Sequence, residues 1–109
     1  MENTENLENP EKTDTEELLK PEYEQLLDLI AECTDREFIS EFFNCIFTPA
    51  ERKNVAERWL LVKELKAGKT QREIAKQYNM SLCKITRGSK ELQKENSAFK
   101  KALSMIEKK

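Results

Sequence analysis

The side chains able to do chemistry in this chain cluster at Gln71–Arg72 and at Ser81–Leu82–Cys83–Lys84, with Thr86 and Lys90 one to two helical turns further on. Their chemistry is hydrogen bonding and charge attraction. Arg, Gln, Ser and Thr can bond phosphate oxygens, Lys can donate to the guanine edge, and Leu and Cys offer apolar contact to a thymine methyl. Catalysis has no such support. The chain has no histidine and no glycine-rich phosphate loop. Cys33, Cys45 and Cys83 lack the paired spacing of a zinc site, so no metal is expected. The carboxylates fall on helix-capping or solvent-facing positions rather than in pairs suited to acid–base work. An enzyme is therefore excluded in favour of a DNA-contacting protein without a cofactor.

Those residues need a scaffold, and residues 70–89 supply one. Thr70 with Glu73 forms a capping box that starts a helix at Gln71. Ile74, Ala75 and Tyr78 share its inner face, and the small Ala75 lets a second helix approach closely. Asn79 tolerates the left-handed conformation that a sharp turn requires. Ser81 then caps a second helix whose buried side is expected to be Leu82 and Ile85. This is a helix-turn-helix pattern. In that motif the second helix enters the major groove with its N-terminal residues, here Ser81 to Lys84, at the base edges. Gln71 and Arg72, at the start of the first helix, are placed for phosphate contact. The competing reading is a plain helical hairpin.

Charge is segregated along the 109 residues, although the formal net charge is only −2. Residues 1–20 carry a net −5, residues 21–51 a net −7, and residues 52–109 a net +10. A basic half containing the helical pair is the electrostatic footprint of a nucleic-acid binder, though lysines also simply solvate helix faces. Residues 1–17 are acidic and nearly free of large apolar groups, which predicts a disordered arm ahead of a helical domain over residues 18–109.

Within that domain, Pro21 suits a first helical position, with Tyr23, Leu26, Leu27 and Ile30 on one face and an end near Cys33. Thr34 and Glu37 form a second capping box, opening a helix to about Phe47. Phe38, Ile39, Phe42, Phe43, Cys45, Ile46 and Phe47 make that helix apolar on more than one face. So small a chain cannot cover it alone, and a homodimer with interleaved helices is the economical solution. Thr48-Pro49-Ala50-Glu51 is a third capping box, and its helix should stop at Ala67–Gly68 with Val55, Trp59, Val62 and Leu65 or Lys66 as its buried stripe. A last helix starts at Asn96 or Ser97, with Phe99, Ala102, Leu103 and Ile106 on one face. The total is all-α: six helices, no strand and no repeat. No secretory signal or membrane-length apolar run occurs, which predicts a cytoplasmic protein with reduced thiols and no membrane partner.

Phe47-Thr-Pro-Ala-Glu-Arg52, Gly68, Gln71-Arg72-Glu73-Ile74 and Ile85-Thr-Arg-Gly-Ser89 together resemble the Trp repressor family. The likeness runs from about Glu22 to the C-terminus, and Ile-Thr-Arg-Gly-Ser within a helix-turn-helix is its most specific part. It implies an intertwined homodimer that binds double-stranded palindromic operator DNA and represses tryptophan-related genes when L-tryptophan is bound. It further implies that Arg58 and Arg87 sandwich the indole and help hold the carboxylate, as guanidinium planes can. Gly88 would leave room for the ring. The carbonyls of Cys45 and Phe47, with Thr48, would line the amino-acid end from the partner subunit. The chain departs from the family pattern in three places. Glu91 stands where the family carries a small hydroxyl residue near the ligand ammonium, and could pair with it or fill its space. Only Lys69 and Thr70 separate Gly68 from Gln71, and Lys84 replaces a threonine in the base-reading turn. Two other readings stay open: a related regulator independent of tryptophan or using another ligand, and a helical module that binds an acidic protein.

Overall fold

The computed structural model describes the backbone of residues 4–107 and the side chains of residues 15–107. Its helices are α1 (Thr4–Glu32), α2 (Arg36–Ile46), α3 (Pro49–Lys66), α4 (Gln71–Tyr78), α5 (Leu82–Gln93) and α6 (Ala98–Glu107), with no strand among the described residues. The chain divides into two compact units, residues 1–45 and 46–109.

In the first unit α1 already begins at Thr4, which differs from the disordered arm expected over residues 1–17. Residues 1–3 lie outside the described residues. Helix α1 as a whole holds no glycine and is rich in Glu and Leu, both good helix formers, and Glu16 and Lys20 have the favourable i,i+4 spacing. Among the described side chains of α1, helical propensity stands without burial: Leu18 is 73% exposed. Pro21 lies inside α1 instead of opening a helix, at the cost of one backbone hydrogen bond. The cap of α2 is Asp35, not Thr34. Its Oδ1 accepts from the backbone N–H groups of Glu37 (3.0 Å) and Phe38 (3.3 Å), which a side chain one residue earlier would have to reach past Asp35. Phe38 and Phe42 stack along α2 with ring centroids 6.0 Å apart. No described residue of this unit is buried.

The second unit has a core. Leu61, Ile74, Met80 and Ile85 form its centre, with Leu60, Leu65, Ala75 and Tyr78 packed around them. Helix α5 is the hub and packs against α3, α4 and α6. The expected caps are present: Thr48 with Glu51 and Thr70 with Glu73 bond reciprocally, and Ser81 Oγ accepts from Lys84 N–H at 3.1 Å. Helix α3 ends as a Schellman motif, in which Gly68 N–H donates to Leu65 O and Lys69 N–H to Glu64 O. Gly68 takes φ +100°, which only glycine adopts freely. Asn79 closes α4 in the left-handed region at φ 55°, ψ 44°.

The core differs from its sequence expectation at three points. On α3 the fully buried pair is Leu61 and Val62, while Val55 is 48% exposed and Trp59 only half-buried. Leu61 belongs to the side of α3 facing α5, and Val55–Trp59 to another. On α5 the inward positions are Ile85 and Ser89, one turn apart, and Leu82 is 58% exposed. Met80, 7% exposed, supplies from the turn the apolar group expected of Leu82. Buried Ser89 accepts a hydrogen bond from Gln93 Nε2, and buried Ser97 caps α6 by accepting from the N–H groups of Phe99 and Lys100.

A candidate ligand cleft beside the helix-turn-helix

Because α5 is pressed between α3 and α6, its outer flank forms one wall of a cleft of about 570 Å³. Arg58 and Leu61 come from α3, at the i,i+3 spacing that puts them on one side of that helix. Cys83, Lys84, Arg87, Gly88 and Glu91 come from α5, and Ser97, Ala98 and Phe99 close the end at the start of α6. Four of the seven expected ligand residues, Arg58, Arg87, Gly88 and Glu91, therefore meet in one place. Phe47 and Thr48 are outside that lining, as is Cys45. The Phe47 carbonyl accepts from Arg52 Nη1 at 2.8 Å, and both the N–H and Oγ1 of Thr48 are engaged by Glu51.

Gly88 sits where α5 packs against Leu61 of α3. A Cβ at this position would lie 2.7 Å from Leu61 Cδ2, inside van der Waals contact, and Leu61 is itself fixed in the core. The glycine is needed for the helix approach that forms the cleft. Leu61 and Phe99, the large apolar side chains of the lining, were not expected there from the sequence. The signal for Leu61 was its position one turn beyond Arg58.

The residues expected to contact DNA separate into two groups. Arg72, Ser81, Leu82, Cys83, Thr86 and Lys90 are exposed, and Gln71 is half-buried with its Oε1 accepting from Thr86 Oγ1 at 3.4 Å. That bond ties the two helices of the motif together. Lys84 is different. Its Nζ lies 2.7 Å from Glu57 Oε1 and 3.4 Å from Asn54 Oδ1, both on α3. The hydrogen bond from Lys84 is the main cause that holds the Glu57 carboxyl below the usual carboxylate range; desolvation opposes it, and the charges of Lys84 and Lys53 assist it. The ammonium expected at a guanine edge is thus engaged inside the unit.

The short link between α3 and α4 has its own anchor. Lys69 bonds both Glu64 and Gln77, and its ammonium stands 5.6 Å from the centre of the Tyr78 ring. The Lys69–Glu64 hydrogen bond chiefly lowers the Glu64 pKa and raises that of Lys69, with desolvation opposing both shifts. Between Gly68 and Gln71 only Lys69 and Thr70 intervene, and the Lys69 side chain reaches both Glu64 on α3 and Gln77 on α4.

Among the described residues no cluster of His, Cys, Asp and Glu could hold a metal ion, and no helix is long and apolar enough to cross a membrane.

A family model described as "Trp repressor protein" matches residues 21–107. The chain is 35% identical over 82 residues to a "Trp operon repressor homolog" of Chlamydia trachomatis serovar L2, covering 74% of this chain and 87% of the relative. A protein of the same description from Chlamydia caviae is 38% identical over 84 residues, 76% of this chain and 83% of the relative. One from Vibrio cholerae is 33% identical over 86 residues, covering 78% and 84%. No solved structure gives a significant match. The chain belongs to the Trp repressor family, whose members are transcriptional regulators and not enzymes.

Proposed function

We propose that this member of the Trp repressor family is a cytoplasmic DNA-binding repressor that acts as a homodimer on palindromic operator DNA, with L-tryptophan as its corepressor, to repress tryptophan-biosynthesis genes. The observation that carries this reading is the meeting of Arg58, Arg87 and Gly88 in a cleft whose far wall is the DNA-reading helix. Two guanidinium groups can fork onto a carboxylate and lie flat on an aromatic ring. Leu61 and Phe99 add apolar surface for that ring. Residues on the same helix, Ser81, Leu82 and Cys83, are exposed at its N-terminus, where a helix-turn-helix meets base edges.

The homodimer rests on the first unit. Phe38, Tyr23 and Leu27 are 42–63% exposed, and a helix pair with no buried side chain among its described residues needs another surface to cover it. In a dimer, two copies of α5 would address successive major grooves roughly 34 Å apart. A ligand in the cleft touches α3 and α5 together, so it favours whichever tilt of α5 seats it best, and only that difference in affinity can regulate DNA binding. The carbonyls of Cys45 and Phe47, with Thr48, would reach the ligand from the partner subunit.

A mobility-shift assay on palindromic operator DNA, with and without L-tryptophan, tests this reading. Stronger sequence-specific binding with tryptophan is expected. Equal binding in both would instead support a tryptophan-independent regulator, and absence of sequence preference would support a protein-interaction module. Arg87→Ala should abolish tryptophan binding in calorimetry while leaving the dimer intact.

A further inference from the structure

The charges lining the cleft have an order. Arg58 and Arg87 supply cationic groups to its lining, and Lys84 is engaged by Glu57. Residues 84, 87, 88 and 91 recur at the i, i+3, i+4, i+7 spacing of one face of α5, so the helix sets Glu91 about 6 Å along its axis from Arg87. The cleft thus places an anion one turn beyond a cation. The Glu91 carboxylate has Lys94 Nζ at 3.0 Å, but Lys94 is 63% exposed and the pair lies at the surface. Such a surface pair is weak and readily exchanged for another cation.

We propose that Glu91 makes this cleft select for an ammonium, so that it takes an amino acid and rejects the same acid without its amine. The inference rests on the tryptophan reading for the ring and the carboxylate, and adds the basis of selection at the third point of contact. A ligand seated between the arginines strips water from Glu91. An ammonium on the carbon next to the ligand carboxylate replaces that water with a charge-assisted hydrogen bond. A deaminated acid offers nothing there: it leaves the carboxylate desolvated and brings a second negative charge near it. A neutral hydroxyl at the same position would lack this penalty, so the carboxylate turns a tolerant site into a discriminating one.

Calorimetry on the full chain decides the matter with two probes. L-tryptophan and indole-3-propionate share ring and carboxylate and differ by the amine. The wild-type protein is expected to bind L-tryptophan at least about tenfold more tightly. Glu91→Gln keeps the side-chain size and removes the charge, and the ratio should fall towards one, through weaker tryptophan and tighter indole-3-propionate binding. A purely space-filling Glu91 would leave the ratio unchanged in Glu91→Gln, which overturns the proposal. Equal affinities for both probes in the wild type overturn it as well, while leaving the corepressor site standing. Absence of any L-tryptophan binding overturns the corepressor reading together with this one.

Discussion

Leu61, Ile74 and Ile85 in the second unit are at most 1% exposed, whereas α1 and α2 carry Leu18, Leu19, Tyr23, Leu27, Leu29 and Phe38 at 40–73% exposure. Both regions are helical and begin their shorter helices with side-chain caps. They differ in what those helices enclose. Helices α3 to α6 close on one another around a core, while the side chains of α1 and α2 that could form one remain in the open. Apolar content alone therefore does not produce a core. Enough packed elements must surround it, and a two-helix unit has too few.

The contrast can be broken most severely at Leu61. Leu61→Ala should destabilise the second unit by about 2–5 kcal/mol, since it removes the central side chain of the core, which is only 1% exposed. The loss is expected to be the same at every protein concentration, and chemical denaturation at two concentrations would show this. Phe38→Ser should behave in the opposite way. The wild-type thermal midpoint should rise with protein concentration, as for a folded state completed by association. The substitution should reduce that dependence, with a loss of about 2 kcal/mol in dimer stability by sedimentation equilibrium. A concentration-independent wild-type midpoint would remove the proposed partner of α1 and α2.

Thr70→Ala sharpens the comparison on the folded side. It deletes one acceptor of the capping box and should cost about 1 kcal/mol in denaturant titrations. The smallest effect concerns Lys69 and Glu64. Because the folded Glu64 carboxyl is lowered, its contribution is complete above the ordinary carboxylate range and is lost as pH falls through that range to the lowered value. The raised Lys69 contributes fully below the ordinary lysine range and loses its effect only as pH rises through the raised value. Thermal midpoints should thus be flat near neutrality with respect to this pair, and Glu64→Gln should blunt part of the acid-side decline.

Local signals in the sequence were the most legible. Thr48, Thr70, Ser81, Gly68 and Asn79 act within four residues of themselves, and each stands in its expected place. Asp35 displaced Thr34 because two adjacent oxygen-bearing side chains compete for the same N–H groups, and spacing alone does not choose between them. Leu61, Met80 and Ser89 were not legible as core residues. Their burial depends on which side of α3 meets α5, which is a tertiary choice. The partnership of Lys84 with Glu57 spans 27 residues and exists only after those helices pair. Of the cleft, Arg58, Arg87, Gly88 and Glu91 were reachable through family resemblance. Leu61 and Phe99 required the packed helices.

The connections within the second unit are brief: four residues from α3 to α4, three from α4 to α5 and four from α5 to α6. Short links make most native contacts local, and helical units of that kind fold in microseconds to milliseconds. Association of two chains is slower at low concentration because it must wait for encounter. In the proposed homodimer, each newly made chain should therefore complete α3 to α6 first and meet its partner second. In the interval the apolar side chains of α1 and α2 are open to any hydrophobic surface, so the order of assembly, rather than final stability, sets the period of greatest aggregation risk.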